Sequence, residues 1–200
     1  MLNLTTVLVL NKKQKEIIDS FGVLTETHWK CNVTRLRKAI RAQLMSLQND
    51  VCVYCGCPPD GPSDVEHIAH KAQYPQFLFT PKNLAYSCKT CNQTIKGATD
   101  VVIKLNADYD QCQFSIVHPY LDDVDHYLDT TKIQIKKQPN LPPSEDIKAT
   151  NTLCILQLDQ PITTIRRAKC HAIRQYCIDN NTSVSQIALD DTLVYRPGFQ

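Results

Sequence analysis

Apolar positions along this chain recur at two periods, and each change of period marks an element. Leu36, Ile40, Leu44 and Leu47 fall every three or four positions, the spacing of one helical face, which predicts a helix from Asn32 or Thr34 to Leu47. Arg35, Lys38 and Arg41 gather away from that stripe, and Arg37 is exposed as well. Ahead of it, residues 2–10 carry the β-favouring Thr5, Thr6, Val7 and Val9 and predict a strand. Residues 12–21 predict a short helix that Gly22 ends. Pro58, Pro59, Gly61 and Pro62 form a turn-rich loop, after which residues 64–68 and 83–87 predict a hairpin and a helix begins near Asn92. Tyr74, Pro75, Phe77, Leu78 and Phe79 supply apolar cover on one side of the cysteine-rich region.

Past Gly97 the pattern softens. Residues 114–126 hold two histidines and three aspartates, but Pro119 and irregular spacing predict a turn and a helix start rather than a metal site. Residues 132–136 alternate like a strand, with Ile133 and Ile135 on one face. Residues 137–150, with Pro139, Pro142 and Pro143, predict a linker or surface loop, and residues 152–158 another strand. A last helix has Pro161 at its first position, where a missing N–H costs nothing. It sets Arg167, His171 and Arg174 on one face, with Arg166 and Lys169 elsewhere: a solvated face, or one for nucleic acid or an acidic partner. Residues 181–200 hold Val184, Ile187, Leu189, Leu193, Val194, Tyr195 and Phe199 and predict a docking segment.

Composition changes the picture in two ways. Lys and Arg exceed Asp and Glu by only 22 to 20, a net charge of +2, which excludes a histone-like polycation but leaves room for a local basic patch. The apolar opening lacks a basic leader and a small-residue cleavage site, and no run approaches the ~18 apolar residues of a membrane helix, so a cytoplasmic, membrane-free chain is expected. Of ten cysteines, Cys52/Cys55 and Cys88/Cys91 form C-x-x-C pairs; the others lack framework spacing and read as reduced thiols. Two such turns present four thiolates to one point and close a tetrahedral shell around zinc. Cys57 lies beside the first pair, but the C-x-x-C geometry favours Cys52 and Cys55.

The span between the pairs is longer than a simple zinc ribbon needs, so something is mounted there. Cys52-Val53-Tyr54-Cys55, Val65-Glu66-His67-Ile68, Lys82-Asn83-Leu84 and Cys88-Lys89-Thr90-Cys91-Asn92, followed by Lys96-Gly97, resemble the HNH nuclease family of the ββα-metal fold in its four-cysteine form. The resemblance implies an α+β fold: an HNH core with a structural four-cysteine zinc, flanked by helical and short-strand extensions. It implies His67 as general base, Glu66 and Asn92 as ligands of a catalytic Mg²⁺ or Mn²⁺, and Asn83 as the brace of the loop that aims His67. The family's commoner dipeptide is Asp-His, and Glu66 is one methylene longer.

These residue types suit phosphodiester hydrolysis. An imidazole takes a proton from water near neutral pH, while a hard cation on oxygen donors steadies a phosphoryl oxygen. Adjacent strand residues point to opposite faces, so Glu66 and His67 are expected where a strand ends or bulges. Lys71, Lys96, Arg37 and Arg41 are the candidate contacts to DNA or RNA phosphates.

The order of elements after Gly97, with the run from Val65 to Pro75 leading into Cys88-Lys89-Thr90-Cys91, also resembles HNH subunits of Septu-type antiphage systems. That resemblance implies an ATPase partner subunit and, in some systems, a retron reverse transcriptase. The expected organisation is an N-terminal extension over 1–32, the nuclease core with its preceding helix over 33–100, a C-terminal α+β elaboration over 101–180 and a tail over 181–200. The alternative is a zinc-stabilised binding module whose catalytic site is vestigial.

Overall fold

A computed structural model describes residues 1–182 apart from Asn32 and Asp60; the apolar segment expected at the C-terminal end lies outside the described residues. Helix α1 (Lys12–Asp19) is capped by Asn11, whose side chain accepts from the Gln14 amide. Helix α2 (Thr34–Leu47) buries Leu36, Ile40 and Leu44, the stripe that its pattern predicts. Strands β1 (Ser63–His67) and β2 (Leu84–Cys88) form an antiparallel hairpin that pairs Glu66 with Ala85 and His67 with Leu84. A π-wound helix, Thr90–Lys96, follows β2 directly, and two short 3-10 turns, Pro75–Phe77 and Pro81–Asn83, lie between the strands. The result is a mixed α+β chain of helices and small sheets.

The remainder wraps this unit. β3 (Val102–Lys104) pairs with β4 (Gln113–Phe114); after helix α3 (Val124–Tyr127), β5 (Leu128–Asp129) pairs with β6 (Lys136–Lys137). Helices α4 (Pro143–Leu156) and α5 (Pro161–Asp179) close the described chain. No described helix is long and apolar enough to cross a membrane.

Four expectations are corrected. The opening segment is extended but joins no sheet: Leu2 N–H bonds the Val53 carbonyl and Leu4 N–H the Pro119 carbonyl, two separate loops that give it no single partner strand. The expected loop over 137–150 and strand over 152–158 are instead mostly α4. Pro143 sits at its start, where the missing N–H is harmless, and Glu145 and Asp146 in the first turn favour the helix dipole. The alternation over 132–136 yields only the two-residue β6 at its end.

Two apolar clusters flank the hairpin. One joins α2 to Trp29, Leu78, Phe79, Leu84 and Tyr86; the other surrounds the cysteine pairs with Phe77, Ala85, Ile116, Val117, Leu128 and Leu156. Of the predicted apolar cover, Phe77 therefore lies on the cysteine side, and Leu78 and Phe79 on the α2 side. Alternation along the strands divides them, because successive side chains point to opposite faces. Gln48, just past α2, bonds both backbone groups of Tyr86 (2.7 and 2.9 Å), and Arg41 donates to Ser63 Oγ and carbonyl (2.6 and 3.1 Å), latching the helix to both strands.

A buried polar line connects this unit to the C-terminal half. The Tyr120 amide donates to His118 Nδ1 (3.2 Å), so His118 Nε2 carries the proton and donates to Tyr109 Oη (2.9 Å); Tyr109 in turn donates to Asn83 Oδ1 (3.0 Å). Burial holds His118 at about 3, far below its ordinary 6.5, with Lys148 and Lys82 adding to the effect. Below pH 6.5 the unfolded chain takes up a proton that the folded chain refuses. Stability therefore falls as pH drops from there toward 3, by up to about 1.4 kcal/mol per unit for this group. Urea denaturation between about pH 6.5 and about pH 5 is expected to show a shallower loss in His118→Gln than in the parent chain.

Candidate functional site

The C-x-x-C turns bring Cys52, Cys55, Cys88 and Cys91 together with all four sulfurs within 4.8 Å of one another and all four residues buried. Tetrahedral zinc with Zn–S bonds of about 2.3 Å separates its sulfurs by about 3.8 Å, so modest contraction closes the shell. The donor chemistry fits zinc: four soft sulfurs in a dry pocket, with the Cys91 amide 3.5 Å from Cys88 Sγ. Cys57 stands outside the set and instead gives its carbonyl to the Cys52 amide (2.9 Å). Gly56 has φ +68°, and a Cβ there would come 3.2 Å from Arg167 Nη1, so glycine suits both the turn and the approach of that arginine.

That approach was not legible in the sequence. Arg166 and Arg167 are half-buried, and their guanidinium groups are engaged within the chain. Arg166 Nη1 donates to Cys88 Sγ (3.0 Å) and Nη2 to the Pro58 carbonyl (3.1 Å). Arg167 donates to the carbonyls of Cys55, Thr130, Lys132 and Ile133 at 2.7–2.8 Å. α5 fully buries only Thr163, so these polar bonds carry much of its attachment. Guanidinium groups beside the four sulfurs would also offset the negative charge of a zinc tetrathiolate.

β1 ends at His67, and Glu66 and His67 point to its two faces. His67 is buried against Trp29, edge to face at 4.5 Å. Its Nε2 lies 3.1 Å from the Leu78 carbonyl; a carbonyl only accepts, so Nε2 bears the proton and Nδ1 keeps the lone pair. Burial, then the charge of Lys71, lowers His67 to about 3 and keeps the imidazole neutral at physiological pH. Asn83, fully buried, fixes the segment after His67. Its Oδ1 accepts from the Ala69 amide (2.7 Å), and its Nδ2 donates to the carbonyls of Phe77 (3.0 Å) and Ala69 (3.2 Å).

On the other face, Glu66 is 1 % exposed. Its Oε1 accepts from Tyr54 Oη (3.0 Å) and lies 2.8 Å from Lys96 Nζ. Burial raises the Glu66 carboxyl, and Lys96 and Tyr54 oppose that shift. Lys96 is therefore not a phosphate contact: it is buried, and Nζ also donates to the His67 carbonyl (3.2 Å). Four methylenes reaching inward from the last π-turn bring the ammonium under β1 rather than to the surface.

A cleft of about 420 Å³ runs along β1 between α2 and the π-wound helix. Glu66, His67, His70, Lys71, Arg37, Arg41 and Asn92 all line it. Of the two α2 arginines that line the cleft, Arg41 is committed to Ser63, while Arg37 leaves its Nε buried without a hydrogen-bond partner. The half-buried Asn92 amide and the Glu66 carboxylate offer the oxygen donors that a hard cation takes; among the described residues, no cluster of three or more His, Cys, Asp or Glu ligands converges there. Trp29 and Tyr54, which position His67 and Glu66, were missed in the sequence. The first is the chain's one tryptophan and the second lies inside a C-x-x-C pair.

No protein-family model matches the chain. Over 124 residues it is 29% identical to the Septu protein PtuB of Bacillus thuringiensis. The match covers 60% of this chain and 41% of that protein, so the chain spans well under half of the relative's length.

Zinc and α5 are expected to be lost together. Chelation, or Cys88→Ser, should strip zinc from the chain and lower its melting temperature, because structural zinc binding is folding free energy. Hydrogen exchange should then rise in α5 before α2, whose apolar stripe and bonds to Ser63 and Tyr86 do not pass through the cysteines; protection that persists in α5 without zinc would contradict the arginine clamp.

Proposed function

We propose that this chain is a metal-dependent endonuclease of the HNH type, acting on nucleic-acid phosphodiester bonds as the effector of an antiphage defence complex. The observation that carries the reading is one basic cleft holding His67 with its Nδ1 lone pair, Glu66 and Asn92, beside a four-cysteine site. Hairpin and helix supply these residues in the order of a ββα-metal unit. The similarity to a Septu protein supports the defence role. An ATPase subunit as partner, and a retron reverse transcriptase in some assemblies, belong to the same proposal.

In this reading His67 Nδ1 accepts the proton of an attacking water. The Leu78 carbonyl and Trp29 hold the ring in one tautomer and one orientation, and Asn83 fixes the segment beyond it. Cationic neighbours and burial make the imidazole a weak base in the free protein; an incoming phosphate offsets the charge of Lys71 and raises it toward the working range. Arg37 and Lys71 hold flanking phosphates in this account. Glu66 and Asn92 would hold Mg²⁺ or Mn²⁺, which supplies charge stabilisation at the phosphate. The second reading, a binding module with a vestigial site, is favoured by one feature: Glu66 is already paired with Lys96.

The test is cleavage of DNA and of total tRNA by the purified chain, with and without its ATPase partner. His67→Ala is expected to lower cleavage by at least about 100-fold, the usual share of a general base, while zinc content is unchanged. Glu66→Asp should retain activity, and Glu66→Gln should lose it and need more metal. Full cleavage by His67→Ala would remove His67 from the chemistry.

A further inference from the structure

Lys96 stands where the reading above needs an open carboxylate. Its side chain is 0 % exposed, and its ammonium lies 2.8 Å from Glu66 Oε1. The His67 carbonyl takes a second bond (3.2 Å) and ties the ammonium to the backbone between the two site residues. A buried lysine persists only when paired, so Lys96 and Glu66 are each other's counter-charge. Tyr54 adds a neutral donor to the same oxygen, and both contacts leave Oε2 aside. The carboxylate thus lines the cleft with its charge already balanced, and Arg37, Lys71 and Arg41 bring further positive charge to the same walls.

We propose that Lys96 competes with the divalent cation for Glu66 and keeps the free protein in a state of weak metal affinity. The inference rests on the reading of Glu66 and Asn92 as metal ligands. A divalent ion entering beside a paired carboxylate meets the ammonium at short range, in surroundings that water screens poorly. Without the ammonium, burial alone acts on Glu66 and favours its protonated form, so a divalent ion then competes with a proton instead of a lysine, and the gain is read in alkaline buffer, where the carboxylate is restored.

Manganese binding to the zinc-loaded full chain, read by electron paramagnetic resonance of free Mn²⁺, tests this without reference to cleavage. Lys96→Gln keeps a donor for Glu66 and the His67 carbonyl but carries no charge. It is expected to bind Mn²⁺ at least tenfold more tightly than the parent chain, and Lys96→Arg no more tightly. Adding Glu66→Gln to Lys96→Gln should erase the gain. Lys96→Met supplies the same readout where Lys96→Gln fails to retain its zinc. Equal or weaker binding by the neutral variants, with Glu66→Gln still lowering parental affinity, overturns the competition while leaving Glu66 a ligand. Parental and Lys96→Gln affinities that both ignore Glu66→Gln overturn the metal reading and this inference with it.

Discussion

Four sulfurs drawn to one point are the constraint on which the rest of the chain depends. The first C-x-x-C pair lies ahead of β1 and the second spans the end of β2 and the π-wound helix, so their convergence ties the chain entering the hairpin to the chain leaving it. Around it the chain adds bonds that exploit its charge and exposed carbonyls: Arg166 on Cys88 Sγ, Arg167 on the Cys55 carbonyl, and the Cys57 carbonyl on the Cys52 amide. A two-stranded hairpin alone is marginal in water, and two five-residue strands need such support. The four-cysteine side provides it on one face, and α2, through Gln48 and Arg41, on the other.

The consequence for chemistry is a strand whose neighbouring residues leave by its two faces and still line one cleft. His67 is neutral and aimed by Leu78 and Trp29; Glu66 is charge-balanced by Lys96. Burial drives both conditions, since it penalises the charged imidazole and leaves the carboxylate in need of a partner. The Asn83–Tyr109–His118 line then carries the position of the loop after His67 into the C-terminal half. Residues far along the chain thereby bear on the geometry of two that are adjacent.

Much of this is legible in the residues themselves. The α2 stripe, the hairpin over 63–88 and the convergence of the C-x-x-C pairs follow from short-range rules of period and spacing. What is not legible depends on reach. Lys96 resembles a surface cation until its four methylenes are seen to carry it inward; Arg166 and Arg167 resemble a wet helical face until they meet carbonyls more than a hundred residues away at Pro58 and Cys55. α4 was hidden by prolines that mark a loop by frequency but start a helix when they fall in its first turn. Leu2 and Leu4 failed as a strand because pairing is a property of two segments, and the described residues offer them no partner strand.

The central claim is that the cleft along β1 is where a metal ion and a phosphodiester meet. Diffraction from the full chain co-crystallised with Mn²⁺ and a short oligonucleotide, with the manganese located by its anomalous signal, tests it most directly. The account predicts manganese bound by Glu66 and Asn92, with a backbone phosphate between His67 and Arg37. Manganese elsewhere, or nucleic acid lying on another face of the molecule, would contradict it.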